Sequence, residues 1–147
     1  MQHGIEPISK SEYVEVIEVW EASVRATHHF LNEEDIAHFK PLILNHYLDA
    51  VELRCVRNAD GTMLGFAGVA DQNLEMLFVH PDYRGQGIGK ALLFYTIGIM
   101  EVERVDVNEQ NGQAIGFYTH SGFKTVGRSE VDASGKPYPI LHMQLEK

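Results

Sequence analysis

Residues 77–90 of this 147-residue chain read Leu-Phe-Val-His-Pro-Asp-Tyr-Arg-Gly-Gln-Gly-Ile-Gly-Lys. The apolar run that ends at Val79 predicts a strand, and a helical period begins after the glycines. A glycine-rich turn between a strand and a helix is suited to binding an anion, because the first helical amides lack partners and the helix dipole is positive there. Arg84 and Lys90 add positive charge at the rim. The segment therefore predicts a phosphate-binding turn.

Two other phosphate-binding patterns and a purely structural turn compete with this interpretation. A P-loop needs glycine five positions before its Gly-Lys pair and Ser or Thr after it, where this chain has Arg84 and Ala91. The dinucleotide fingerprint needs a third glycine where this chain has Lys90. A structural turn has no use for three alternating glycines, each costing ~1 kcal/mol against alanine in the first turn of a helix. The remaining pattern is Arg-x-x-Gly-x-Gly, met by Arg84, Gly87 and Gly89.

Hydrophobic periodicity predicts helices and strands on both sides of this turn. Ser9 and Glu12 have capping-box spacing and start a first helix, whereas Asn32 and the acids after it start a second, which Pro41 is expected to divide. The other predicted helices are residues 87–100 and 112–120, and the predicted strands are residues 5–8, 51–57, 63–70, 73–79, 105–108, 123–128 and 138–144. This order predicts an α/β fold, with a mixed sheet, helices on both faces, and the apolar strand 73–79 at its centre.

Composition limits the partners and the compartment. Twelve basic and 21 acidic residues leave a formal net charge of −9, which disfavours nucleic acid and anionic lipid, so we expect neither a nucleic acid nor a membrane as partner. The N-terminus has no secretory pattern, and the single Cys55 favours a reducing, cytoplasmic location. The length fits one domain spanning residues 1–147.

Two motifs give the chain a resemblance to the GNAT superfamily of acetyl-coenzyme A-dependent N-acetyltransferases. The superfamily signature Q/R-x-x-G-x-G/A is met by Arg84, Gly87 and Gly89. A second signature, N-x-x-A-x-x-F/L-Y-x-x-x-G-F, is met by Asn111, Ala114, Phe117, Tyr118, Gly122 and Phe123. Residues 26–31, 107–111 and 135–139 also resemble the YjaB-type bacterial members. The resemblance covers the whole chain and implies a mixed, mostly antiparallel sheet that opens as a V around the cofactor.

The resemblance also implies where acetyl-CoA would bind. The amides of residues 85–90 would hold the pyrophosphate, and the main chain at Leu77 and Val79 would pair with the pantetheine arm. Asn111 would contact the cofactor from the next helix, with Asn108 nearby. The implied cofactor residues are Leu77, Phe78, Val79, Arg84, Gly85, Gln86, Gly87, Ile88, Gly89, Lys90, Asn108 and Asn111.

The implied reaction is direct attack of a primary amine on the thioester in a ternary complex, with Tyr118 at the superfamily's acid position. A tyrosine stays protonated at neutral pH and can give its proton to the leaving thiolate, although a packed core aromatic is the alternative. Glu75 is the one carboxylate in an apolar strand. Strict alternation puts it on the face of Leu77 and Val79, beside the acetyl group, where it would bind or deprotonate the amine; a structural or solvated carboxylate is the alternative.

The other candidates are histidines and the single cysteine. His28 follows the first helix, where the superfamily shapes the acceptor pocket, and is either a base or a surface histidine. His120 and His142 are interpreted as structural, and the eight histidines form no metal-binding pattern, so no metal is expected. Cys55 lies in a hairpin strand away from the motifs, which disfavours a cysteine relay. The expected acceptor is a small-molecule amine or a peptide. The sequence is compatible with a monomer and with a homodimer. The alternative function is a non-catalytic acyl-CoA-binding module.

Overall fold

A computed structural model describes residues 4–27, 31–132 and 135–146. The strands are β1 (Ile5–Pro7), β2 (Glu52–Arg57), β3 (Met63–Ala70), β4 (Asn73–Val79), β5 (Arg104–Asn108), β6 (Phe123–Ser129) and β7 (Ile140–Leu145). The α-helices are α1 (Tyr13–Thr27), α2 (Glu33–Leu42), α3 (Ile88–Gly98) and α4 (Gly112–His120). Every predicted element is present, although β7 begins two residues after the predicted start at Tyr138.

The seven strands form a single sheet in the order β1-β2-β3-β4-β5-β7-β6. Every neighbouring pair is antiparallel except β4 and β5, which are parallel. The prediction of a mixed, mostly antiparallel α/β sheet with β4 at its centre is therefore confirmed.

The sheet opens between β4 and β5. These two strands pair only through Asn73 with Arg104 and Leu74 with Val105. Past Leu74 the pairing stops, while β4 continues to pair with β3 as far as Val79. The edge of β4 that faces β5 is thus left open over its C-terminal half, as the resemblance to the GNAT superfamily implied.

Helices cover both faces of the sheet, so two apolar layers form. On one face α3 and α4 pack on a cluster that includes Leu74, Leu92 and Val105. On the other face α1 and α2 pack on a cluster that includes Trp20, Phe66 and Met76. Burying each of these larger side chains contributes roughly 1.5–3 kcal/mol, and β4 packs between the two layers.

The predicted helix starts are confirmed, but the expectation for Pro41 is not. Ser9 and Glu12 form the capping box before α1, and Asn32 accepts a hydrogen bond from the Asp35 amide at the start of α2. Pro41 lies inside α2, and the helical backbone continues past it into a π-helical turn at Ile43–Tyr47. Since proline has no N–H to donate, the hydrogen-bond register changes after Pro41 while the chain keeps its helical course.

Within the described residues, every helix is too short or too polar to cross a membrane.

Candidate active site

The glycine turn at the end of β4 is shaped by two left-handed residues. Gly85 has φ of +79° and Gly87 has φ of +77°, a region that favours glycine. Gly87 is the N-cap of α3 and has no side chain with which to cap the first helical amides. A Cβ at either glycine would meet no atom within 4 Å. The turn therefore leaves open space in front of uncapped amides, as an anion site requires.

A cavity of about 350 Å³, here called the turn cavity, lies beside this turn. It is lined by the end of β4, the glycine turn, the first residues of α3, α4 and the last turns of α1. Its lining residues are Ser23, Thr27, Leu77, Phe78, Val79, Tyr83, Arg84, Gly85, Gly87, Ile88, Gly89, Lys90, Asn111, Gln113, Ala114, Phe117 and Tyr118. All of the predicted cofactor residues except Gln86 and Asn108 are among them.

The open edge of β4 forms one wall of the turn cavity. Leu77, Phe78 and Val79 pair with β3 on one side, and β5 does not pair with them on the other. Their main-chain groups on the β5 side are placed to pair with an extended ligand, in the manner of an added strand.

The two predicted asparagines differ in position. Asn111 is the N-cap of α4, where its side-chain oxygen accepts from the Ala114 amide at 3.1 Å, and it also lines the turn cavity. The Asn108 side chain accepts from the Gln110 amide at 2.9 Å. Asn108 thus holds the turn before α4 and lies outside the cavity lining.

Tyr118 is buried in the wall of the turn cavity. Its ring packs edge to face on Phe117 and Phe123, with centroids 5.2 and 5.8 Å away. Burial raises the pKa of its phenol, which keeps the hydroxyl protonated. Within the described residues its hydroxyl forms no hydrogen bond, and no fully buried side-chain polar atom there lacks a partner. The hydroxyl therefore keeps some exposed surface on a residue that lines the turn cavity.

Glu75 does not lie where strict alternation put it. Met76 pairs with Gly68 and Leu74 pairs with Val69, so Glu75 is the extra residue of a β-bulge in β4. Because of this bulge, Leu74 lies with Leu77 and Val79 on the face of the sheet that α3 covers. Glu75 lies with Met76 and Phe78 on the opposite face. The expectation that Glu75 shares a face with Leu77 and Val79 is wrong.

Glu75 instead lines two neighbouring clefts on the α1 and α2 side of the sheet. The bridging cleft, about 220 Å³, is lined by Trp20, Val24, Leu31, Phe39, Ile43, Tyr47, Glu75, Met76 and Phe78. The outer cleft, about 660 Å³, is lined by Phe39, Tyr47, Ala50, Val51, Ala70, Glu75, Met76, Asp106, Ser129, Val131, Asp132, Ile140 and His142. Phe78 lines both the bridging cleft and the turn cavity. Each space thus shares at least one lining residue of β4 with the next.

The environment of Glu75 disfavours its charged form. Loss of solvation in the cleft raises the pKa of the Glu75 carboxyl, and the neighbouring charges of Asp106 and Asp71 raise it further. Asn73 opposes this by donating a hydrogen bond to Glu75 at 2.9 Å. Glu75 keeps an exposed surface, and its carboxyl takes up a proton more readily than one without these neighbours.

Comparison with known families agrees with this geometry. The model of the acetyltransferase (GNAT) domain matches residues 27–147. The chain belongs to the GNAT acetyltransferase family. It is therefore an acyltransferase of a family that uses acetyl-CoA, as the two motifs predicted.

Individual relatives of this GNAT acetyltransferase are similar along most of their length. The peptidyl-lysine N-acetyltransferase YjaB of Salmonella typhimurium is 41% identical, over 87% of this chain and 88% of the relative. The Escherichia coli YjaB is 40% identical, over 88% and 87%. The solution structure of apo-form YjaB from E. coli is 39% identical, with a TM-score of 0.88, and covers 98% of this chain and 97% of that one. The predicted resemblance to YjaB-type members is confirmed.

Sequence reasoning missed several residues of this GNAT site. Ser23 and Thr27 line the turn cavity, and their spacing of four in α1 put them on one helical face. His142 was interpreted as structural, yet it lines the outer cleft together with Asp106 and Ser129. Their contact depends on strand pairing, for which the sequence carries no local signal.

Two further candidates take no part in the described site. His28 lies outside the described residues and stays a prediction. Cys55 is fully buried in β2, and burial raises the pKa of its thiol to about 11. A neutral, buried thiol is a poor nucleophile, which agrees with a reaction that needs no cysteine relay.

Proposed function

We propose that this enzyme transfers the acetyl group of acetyl-CoA, bound in the turn cavity, to the side-chain amine of a lysine in a peptide or protein. The lysine would enter through the outer and bridging clefts. The observation that carries the proposal is that Phe78 lines both the turn cavity, which holds the glycine turn, and the bridging cleft, which holds Glu75.

We expect main-chain amides and charged side chains to make separate contributions to cofactor binding. The uncapped amides of residues 85–90 would donate to the pyrophosphate, and Arg84 and Lys90 would add positive charge at the cavity rim. The open edge of β4 at Leu77 and Val79 would pair with the pantetheine arm and direct the thioester toward the sheet opening. Asn111 would contact the cofactor from α4.

The chemistry needs an amine without its proton, a stabilised thioester oxygen and a protonated leaving thiol. A main-chain N–H of β4 near Leu77 would donate to the oxygen as negative charge develops on it. The protonated hydroxyl of Tyr118, a residue that lines the turn cavity, would give its proton to the thiolate. Glu75, whose carboxyl pKa is raised, would bind the ammonium and take its proton. The amine then attacks the carbonyl carbon, with no covalent enzyme intermediate.

Two facts support a lysine of a peptide or protein as the acceptor. The two YjaB relatives carry the name peptidyl-lysine N-acetyltransferase. The outer cleft of this chain is wide and carries the carboxylates Glu75, Asp106 and Asp132, which attract a cation. The sheet runs from β1 to β7, which supports the further proposal that residues 1–147 act as one catalytic domain.

The proposal is tested by incubating the purified chain with acetyl-CoA and a lysine-containing peptide blocked at its α-amine. We expect release of free thiol and a mass increase of one acetyl group on the lysine side chain. A peptide with arginine in place of lysine is the matched control, and spermidine tests a small amine. Turnover with spermidine alone would overturn the choice of acceptor. Binding of acetyl-CoA without turnover of any amine would favour the non-catalytic module instead.

A further inference from the structure

One hydroxyl of α1 is buried beside the turn cavity without a hydrogen-bond partner. Ser23 is only 4% exposed and lines this cavity, but neither of the two clefts. Within the described residues its side-chain oxygen forms no hydrogen bond, and no fully buried side-chain polar atom there lacks a partner. The Ser23 hydroxyl therefore keeps a small exposed surface, and the space beside it is the turn cavity.

A serine inside a helix ordinarily has another arrangement. Its hydroxyl points into solvent or donates to the carbonyl oxygen four residues earlier. Thr27, one turn further along the same helical face, does the latter, since its hydroxyl donates to the Ser23 carbonyl at 2.7 Å. Ser23 is buried, and within the described residues its hydroxyl forms no bond to the helix backbone. The helix alone therefore does not explain this hydroxyl.

The packing of α1 does not explain it either. The other residues on the buried face around Ser23 are apolar, namely Val16, Val19, Trp20 and Val24. Alanine at this position would pack in the same layer without removing a polar group from water. Because buried polar groups in native proteins nearly always have a partner, a hydroxyl kept here without one indicates a partner that binds in the turn cavity.

The neighbours of Ser23 indicate which end of the cavity it lines. Trp20, one turn earlier, and Val24, the next residue, both line the bridging cleft. Phe78 of β4 lines both spaces, whereas the glycine turn lines the turn cavity and not the bridging cleft. We therefore expect Ser23 to lie nearer to the acyl end of the bound cofactor than to its phosphates.

We propose that the Ser23 hydroxyl donates a hydrogen bond to a carbonyl oxygen in the acyl-pantetheine arm of acetyl-CoA. This inference rests on the cofactor site proposed above. The amide carbonyls and the thioester carbonyl of the arm are all acceptors, and a serine hydroxyl rotates to suit its acceptor. Ser23 thus adds a side-chain contact from α1 to the main-chain contacts of β4 at Leu77 and Val79.

This role gives cofactor affinity and protein stability opposite responses to one substitution. Ser23→Ala removes a hydroxyl that has no partner in the described part of the free protein, so the melting temperature should stay equal or rise. With acetyl-CoA bound, the same change leaves a carbonyl oxygen without its donor, and Kd should rise by roughly 3- to 10-fold. A structural serine would show the reverse, with a lower melting temperature and an unchanged Kd, and this result would overturn the proposal.

Calorimetry with three ligands tests where the contact lies. The ligands are acetyl-CoA, CoA, and phospho-ADP, the nucleotide part of CoA, which carries the phosphates but lacks the arm. Ser23→Ala should weaken acetyl-CoA and leave phospho-ADP unchanged. An equal loss with CoA assigns the contact to an amide carbonyl, and a smaller loss with CoA assigns it to the thioester. Unchanged acetyl-CoA affinity, or an equal loss with phospho-ADP, would overturn the proposal.

Ser11→Ala is the matched control. Ser11 is exposed before the start of α1 and lines none of the three spaces, so this variant should match wild type with every ligand. Failure of the wild-type protein to bind acetyl-CoA would count against the cofactor site itself. Binding of acetyl-CoA by wild type and Ser23→Ala with equal affinity would count against the Ser23 contact alone, so the two ideas fail separately.

Discussion

The Tyr138 hydroxyl donates a hydrogen bond to the Asp35 carboxylate and ties the segment before β7 to the first turn of α2. Asp35 is buried, accepts from the Asn32 amide at 3.2 Å, and lies 3.3 Å from the Lys136 ammonium. The lining of the outer cleft includes Phe39 of α2 and Ile140 and His142 of β7. The contact therefore joins two elements that both contribute to the lining of the proposed acceptor entrance.

The first prediction is that Tyr138 and Asp35 are energetically coupled. Tyr138→Phe leaves a buried carboxylate with one fewer donor, which should cost about 1–3 kcal/mol of unfolding free energy. Asp35→Asn should cost a similar amount, and the double variant should show a coupling of at least ~0.5 kcal/mol in urea denaturation. Simple additivity of the two single losses would show that the contact carries no net energy.

The same contact has a predictable pH dependence. The Tyr138 hydroxyl, the Asn32 amide and Lys136 hold the pKa of the Asp35 carboxyl below its ordinary value. A depressed folded pKa contributes stability that is complete above the unfolded pKa of about 3.9 and is lost as pH falls through the folded value. The stability difference between wild type and Asp35→Asn should therefore be constant near neutral pH and shrink below about pH 4.

The second prediction concerns the glycine turn. Gly87→Asn and Gly87→Asp introduce side chains of the same size, and both residues tolerate the left-handed region that Gly87 occupies. If the pyrophosphate lies against the first amides of α3, the aspartate should weaken acetyl-CoA binding far more than the asparagine, because it adds a negative charge at the anion site. Calorimetry on both folded variants measures the difference. Equal affinities would place the pyrophosphate elsewhere.

The turn could be predicted from the sequence because its signal is local. Glycine spacing sets the backbone conformation within a few residues, and the structure has positive φ at Gly85 and Gly87. The face of Glu75 could not be predicted, because the bulge in β4 depends on how Gly68 and Val69 of another strand pair with it. His142 was missed for the same reason: Asp106 lies 36 residues away, and only the register of β5 with β7 brings them together.

The third prediction is that Glu75→Gln lowers activity without lowering stability. The folded pKa of the Glu75 carboxyl is raised, so its deprotonation costs more in the folded state than in the unfolded chain. The free energy of unfolding therefore falls as pH rises from the unfolded pKa of this group through its folded pKa. Glutamine removes this cost, and the melting temperature at neutral pH should stay equal or rise. Turnover of the lysine peptide should fall by on the order of 100-fold, with acetyl-CoA affinity kept.

Glu18→Gln is the matched control for this variant, since Glu18 is exposed on α1 and lines none of the three spaces. It removes the same charge and should keep wild-type turnover. An assisting base of shifted pKa acts between about pH 6 and 9. If Glu75→Gln keeps full activity over this range, Glu75 has a structural role only.

The fourth prediction separates chemistry from packing at Tyr118. Tyr118→Phe keeps the ring and its edge-to-face contacts with Phe117 and Phe123. Since the hydroxyl forms no hydrogen bond within the described residues, its removal should leave the melting temperature close to wild type. If that hydroxyl protonates the leaving thiolate, kcat should fall by on the order of 100-fold or more, provided that chemistry limits the rate. Thiol release at saturating peptide measures this fall in kcat, and single-turnover kinetics show whether chemistry is the slow step.

Tyr95→Phe, the same change on α3 outside the turn cavity, should leave kcat unchanged. A Tyr118→Phe enzyme with normal single-turnover rates would assign the acid to another group, and the cofactor site would stand unaffected.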